Sequence, residues 1–182
     1  GSCSSSRFPV PGKFRVLGRS GFRIGVLRLC VLDEEFMRAA LEQARLGLSA
    51  GEVPIGAVVA IDHTIVARAY NQPIHAADPT AHAEVLALRQ AASAIGNYRL
   101  TDAVVYVTLE PCLMCVGALV HARVRELVFG SAEPKTGALV STTRALETPG
   151  LNHRFPFRSG VLEEECRGLI QEFFREKRRA TV

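Results

Sequence analysis

A histidine, a glutamate and two cysteines stand at spacings that suit one metal ion and one proton shuttle. Thr80-Ala81-His82-Ala83-Glu84 supplies a His-x-Glu, and Pro111-Cys112-Leu113-Met114-Cys115 supplies a Pro-Cys-x-x-Cys. His82, Cys112 and Cys115 are zinc-ligand types. Three protein ligands leave a fourth position open to water, as in catalytic rather than structural zinc centres. Zinc lowers the pKa of bound water from about 16 towards about 7. Glu84, two residues from His82, is placed to take that proton and deliver it elsewhere. A nucleophile beside a proton shuttle suits hydrolytic removal of an amino group from a heterocycle. A redox Cys-x-x-Cys wants a thioredoxin-like context, which the surrounding sequence does not offer. A closed zinc knuckle wants a second Cys/His pair, which Cys3, Cys30 and Cys166 do not form.

The flanking pattern says which elements carry these groups. Asp33 reads as an N-cap for a helix with Phe36, Met37, Ala40, Leu41, Ala44 and Leu48 on its inner face, ended by Gly51. Residues 55–61 and 64–70 read as two strands joined by an Asp62-His63 turn, with His63 a solvated loop residue. Asp78-Pro79 reads as a cap and first helical position. That helix is expected to run to about Ala94 and to bury Val85, Leu88, Ala92 and Ile95. Residues 103–109 make a third strand, a helix follows from Cys112 to about Ala122, and residues 125–130 make a fourth strand. A helix from about Leu162 to Arg179 has Leu162, Cys166, Leu169, Ile170 and Phe173 inside. Alternating helices and strands predict a three-layer α/β/α sandwich around a mixed, roughly five-stranded sheet. Two helix N-termini at the sheet edge would then assemble the metal site and favour thiolate. The helix after Cys112 is apolar nearly all round, which suits a central core helix or a subunit interface.

The 182 residues suit one folded domain, and no apolar run reaches the length of a membrane span. The net charge of +4 is unevenly spread. Residues 1–32 hold six of the 22 basic residues and none of the 18 acidic ones, so the rest of the chain, with 16 against 18, is at −2. Residues 1–32 therefore read as a basic, loosely packed or disordered extension, and 33–182 as the catalytic domain. An acid-free, Ser/Arg-containing leader also fits a transit peptide. The cytoplasm is the expected compartment, or an organelle if the leader is such a peptide. Five cysteines, two of them committed to metal, suit a reducing compartment. The loops 131–137 and 148–160 carry Glu133, Lys135, Asn152, His153 and Arg154, which could touch a nucleotide or be solvated. Arg175, Lys177, Arg178 and Arg179 close the last helix beside Phe174. They suit either its dipole or a phosphate backbone with an unstacked base.

Residues 33–179 resemble the tRNA-specific adenosine deaminases, within the cytidine-deaminase-like fold. The likeness rests on the two metal half-sites, a known zinc-deaminase signature, and on their flanks. These are Gly51-Glu52-Val53-Pro54-Ile55-Gly56-Ala57-Val58, Asn71-Gln72-Pro73, Asn97-Tyr98-Arg99-Leu100, Val128-Phe129-Gly130, Lys135-Thr136-Gly137-Ala138 and Asn152-His153-Arg154. The resemblance implies hydrolysis of the wobble adenosine in a tRNA anticodon loop to inosine, with one zinc per chain, by a homodimer. It implies that Asn71 holds the base and that Val53 and Ala83 line its pocket. Glu133 replaces the family's usual Asp, which should change reach without loss of function. The metal half-sites alone do not fix the base, so a deaminase of a free base or nucleoside, of guanine or cytidine type, is the alternative. A non-catalytic RNA-binding partner would need only the metal ligands, and the intact Glu84 speaks against it.

Overall fold

The computed structural model describes residues 19–180, with side chains from 31 to 179. Readings of residues 1–18 lie outside that range. Helix α1 (Arg19–Ser49) leads into β1 (Gly56–Ile61) and β2 (Thr64–Tyr70). Then come α2 (Ala83–Ile95), β3 (Val104–Leu109), α3 (Leu113–Ala122), β4 (Glu126–Ser131), β5 (Phe157–Ser159) and α4 (Glu163–Ala180). The sheet order is β2-β1-β3-β4-β5. β1 runs antiparallel to both β2 and β3, while β4 runs parallel to β3 and β5.

The inner strands are apolar on both faces because helices cover both faces. Ala57, Val59, Val105, Val107, Leu127 and Phe129 pack against Ala87, Leu88, Val116 and Leu119 of α2 and α3. The alternate residues Val58, Ala60, Tyr106 and Val128 pack against Phe36, Met37, Leu41 and Cys166 of α1 and α4. This is the expected three-layer sandwich. Gly56 lets α1 lie directly on β1, since a Cβ there would sit 2.0 Å from the Ala40 carbonyl oxygen. The β1–β2 hairpin closes through Asp62 and His63, both at positive φ (47° and 61°), as a two-residue turn matching strand twist requires.

Four expectations change. Asp33 is no N-cap. α1 is already helical at Arg19, and the Asp33 carboxylate is buried, bound to Arg158 and to the Tyr106 hydroxyl. α2 begins at Ala83 and not at Pro79, because Asp78 Oδ1 accepts from both Thr80 N–H and Thr80 Oγ–H at 2.7 Å and holds a separate turn. Ile95 ends that helix 42% exposed, and Leu48 is also at the surface. β5 lies inside the stretch expected to be loop, a three-residue strand too short for a periodic signal.

Candidate metal centre and active site

Register places the chemistry at one end of the sheet. Gly56 pairs with Tyr70, and Ala57 with Val107, so residues 52–55, Asn71 and Glu110 emerge together. β4 leaves at the same end through Ser131, paired with Leu109. That is the carboxyl end of the parallel strands, where open α/β sheets place their sites. His82 is the N-cap of α2, and Cys112 that of α3. Neither side chain caps its helix. Both are thus free to meet at the positive ends of two helices, an arrangement that favours anionic ligands.

They do meet. Cys112 Sγ lies 3.7 Å from His82 Nδ1 and 3.7 Å from Cys115 Sγ, and Cys115 Sγ lies 3.5 Å from His82 Nδ1. A tetrahedral ion with zinc's bond lengths would separate two sulfurs by about 3.8 Å, and sulfur from nitrogen by about 3.6 Å. The triangle is therefore one face of such a coordination sphere, and the three residues could hold a metal ion. The Cys112 thiol is pulled down to about 4, chiefly by the hydrogen bond from Cys115, with His82 adding to it against the cost of burial. The same bond, with burial, pushes Cys115 up. Bonding to Cys112 raises His82. Both neighbours favour the Cys112 thiolate, the form in which a cysteine binds metal.

Glu84 sits on the first turn of α2, 4% exposed, and lies outside the group of three that could hold a metal ion. Burial pushes its carboxyl above the usual range, and the Cys112 charge adds to this. Asn71 is buried, and its Oδ1 accepts from the Ala83 N–H at 2.8 Å. The carbonyl end is thereby committed, which leaves its amide nitrogen, a donor, for a ligand. Ala83 is fully buried and Val53 half-buried.

The outer candidates are less gathered. Lys135 is exposed, in a loop tied to the metal turn by the bond from Ala138 N–H to the Pro111 carbonyl, 2.9 Å. Glu133 closes that loop's first turn by accepting from the Lys135 N–H at 2.9 Å. Asn152 is exposed. Its neighbours His153 and Arg154 bond to loop carbonyls, His153 Nε2 to Val124 at 2.9 Å and Arg154 to Leu146 and Thr148. Phe174 is 44% exposed and stacks edge-on against Phe173. No hydrogen bond or ring contact among the described residues joins Asn152 or Phe174 to the metal triangle. Two buried carboxylates had no role in the sequence reading. Glu52 accepts from the N–H groups of Ile74 and His75, and Glu110 gathers the loop after β4. Their only sequence signal is an acid set in an otherwise apolar flank of the site.

The model of the MafB19-like deaminase family matches residues 32–178. The tRNA-specific adenosine deaminase of Haemophilus influenzae is 46% identical over 147 residues, covering 80% of this chain and 85% of that protein. The chain belongs to the tRNA-specific adenosine deaminase family. The Bacillus subtilis member is also 46% identical, covering 81% of this chain and 91% of that one. A solved structure from a study of A-to-I editing by tRNA deaminases at the wobble position of transfer RNA superposes with a TM-score of 0.73. It is 42% identical and covers 74% of this chain and 98% of that one. In this member of the family the two metal half-sites and the flanking Asn71 come together at one end of the sheet.

Proposed function

We propose that this deaminase hydrolyses the wobble adenosine of a tRNA anticodon loop to inosine, with one zinc ion held by His82, Cys112 and Cys115. The observation that carries it is the three-ligand triangle with Glu84 buried beside it and outside it, in a chain 46% identical to tRNA-specific adenosine deaminases. Zinc in such a site supplies Lewis acidity and makes water a nucleophile near neutral pH. The overall change puts a water oxygen on C6 of adenine and releases ammonia. Glu84 carries one proton from water to the ring nitrogen, and then the second, from the oxygen now on C6, to the departing amine. Asn71, through its amide nitrogen, orients the base, and Val53 and Ala83 wall the pocket that excludes water from it. A base can reach so recessed a site only unstacked, which costs least in a single-stranded loop.

Lys135, Asn152 and Phe174, with the basic last turn of α4, are proposed to meet the rest of the anticodon. Arg178 and Arg179 form no ion pair among the described residues, whereas Arg175 pairs with Glu172 at 3.1 Å. Leu113 and Met114 face outward on α3, 59% and 37% exposed, with Val140 exposed on the loop against that helix's start. A second copy of the chain covering them would make the homodimer. No helix of the described residues is long and apolar enough to cross a membrane.

The test is inosine formation in an anticodon stem-loop by the purified protein, with adenosine, guanine and cytidine as competing substrates. Inosine at the wobble position alone is expected. Ending the chain at Phe173 should also flatten the salt dependence of binding, by about 0.7 in log–log slope for each phosphate left without its cation. Ammonia from a free base, with an untouched stem-loop, would assign the protein to small-molecule deamination instead.

A further inference from the structure

Glu110 stands between the last residue of β3 and the Pro111-Cys112 turn. Its main chain is structural, since its N–H donates to the Ser131 carbonyl at 2.8 Å and ties β3 to β4. Its side chain does something else. The carboxylate is buried and collects five donors from a single loop. Oε1 accepts from the N–H groups of Leu139, Val140 and Ser141, at 3.0, 2.8 and 3.0 Å. Oε2 accepts from the Glu133 N–H at 3.1 Å and from the Ser141 hydroxyl. A carboxylate has about four lone-pair sites, so this one is saturated. Three successive N–H groups on one oxygen also form an anion nest, built here around the protein's own side chain.

The loop is shaped to allow this. Gly137 passes so close that a Cβ there would lie 2.4 Å from the Glu110 carboxylate and 2.6 Å from the Glu133 carbonyl oxygen. The Gly137 N–H donates to the Glu133 carbonyl at 2.9 Å, and Thr142 returns to the Gly137 carbonyl through N–H and Oγ, at 3.0 and 2.6 Å. Ala138 and Leu139 point into the core, while Lys135, Thr136 and Val140 face out. The outward side chains are therefore fixed relative to a turn that carries a metal ligand. Glu110 itself makes no hydrogen bond to His82, Cys112 or Cys115.

We propose that Glu110 is a positioning residue for the polynucleotide substrate, locking loop 133–142 onto the Cys112 turn so that the loop meets the RNA at a fixed distance from the reacting base. This rests on the function proposed above and adds a division of labour to it. The triangle and Glu84 set the chemical step, and Glu110 sets how well the RNA is seated.

Three variants of the full chain test it. Glu110→Gln keeps the size but turns one acceptor oxygen into an NH2 group. Ser141→Ala removes one donor. Gly137→Ala removes no hydrogen-bonding group and pushes a methyl against the carboxylate. With an anticodon stem-loop, each of the three variants should raise KM about tenfold, the effect of losing one bond to a buried charge. kcat should fall less than threefold, zinc content should stay at one per chain, and the amides of 139–141 should exchange faster with deuterium. A drop in kcat at unchanged KM, loss of zinc, or unchanged KM with unchanged exchange in the three variants would overturn the proposal. If Glu110→Gln does not fold, the other two variants decide it. Stem-loop turnover by the unmodified protein is measured in the same assay, so failure of the functional assignment shows there, before any variant is compared.

Discussion

Both ends of the sheet bury charge, and they do so in opposite ways. At the carboxyl end of β3 and β4, His82, Cys112 and Cys115 converge to within 3.7 Å, a group that could hold a metal ion. At the other end, Asp33, Tyr106, Glu126 and Arg158 complete one another. Arg158 donates from both terminal nitrogens to Asp33 and through Nε to Glu126 at 2.5 Å, while the Tyr106 hydroxyl donates to Asp33 at 2.9 Å. A cavity of about 130 Å³ opens beside this second cluster, yet its buried charges already have partners. Opposite charges that complete one another serve the fold, and soft ligand groups that converge at metal-ligand spacing suit a bound ion. The contrast assigns chemistry to the first end and stability to the second.

The largest expected effect tests the chemical end. Glu84→Gln keeps the shape of the side chain and all three ligand atoms but cannot carry the proton. Turnover on the stem-loop should fall by about 10²- to 10⁴-fold, the usual range for a lost general acid/base. Zinc content by elemental analysis and the thermal midpoint should stay near those of the parent. Residual activity within tenfold of the parent would remove Glu84 from the proton path.

How far each end could be seen in the sequence follows from how local its signal is. The candidate metal ligands lie in two short segments, 82–84 and 111–115, whose spacing suggests their chemistry before any fold is known. The three layers were legible too, because each inner strand is an apolar run, the outer helices α1 and α4 show a period, and α3 is apolar nearly all round. The second cluster joins residues 33, 106, 126 and 158, from four elements, and no spacing reveals it. Asp33 read as a cap because an acid before an amphipathic run usually is one. Its partner Arg158 lies on the three-residue β5, which carries no period to find. Glu110 was hidden for the same reason, since its donors lie 23 to 31 residues away.

The next effect tests the structural end. Arg158→Met keeps an unbranched apolar stem and removes the charge that separates Asp33 from Glu126. Asp33 is 5% exposed at its side chain while Arg158 is 38% exposed, so the cost should lie near the lower limit for breaking a buried pair, about 3 kcal/mol. Denaturant unfolding measures it. Activity per folded molecule should stay within twofold of the parent, the reverse of the Glu84→Gln pattern. A tenfold loss of activity without loss of stability would join the two ends and defeat the contrast.

The smallest effect, Tyr106→Phe, sharpens the picture through pH. Near neutrality it removes one hydrogen bond to a carboxylate that keeps Arg158, for about 1 kcal/mol. In the folded protein, burial first and the Asp33 charge second hold the Tyr106 hydroxyl far above its ordinary value of 10.0. Below pH 10 the folded and unfolded chains both keep this proton, so the group adds no pH dependence. Above it the unfolded chain releases the proton and the folded chain does not. Stability therefore falls as pH rises towards the folded pKa, by up to about 1.4 kcal/mol per pH unit. A phenylalanine in that place has no proton to lose, so the variant escapes this decline. The parent should lead by about 1 kcal/mol at pH 8, and the two unfolding curves should cross around pH 11. All other groups titrate alike in both proteins and cancel in the difference. A stability gap that stayed constant from pH 8 to 11 would mean that Tyr106 ionises as freely in the folded chain as in the unfolded one, and that the second cluster is open to water rather than closed on itself.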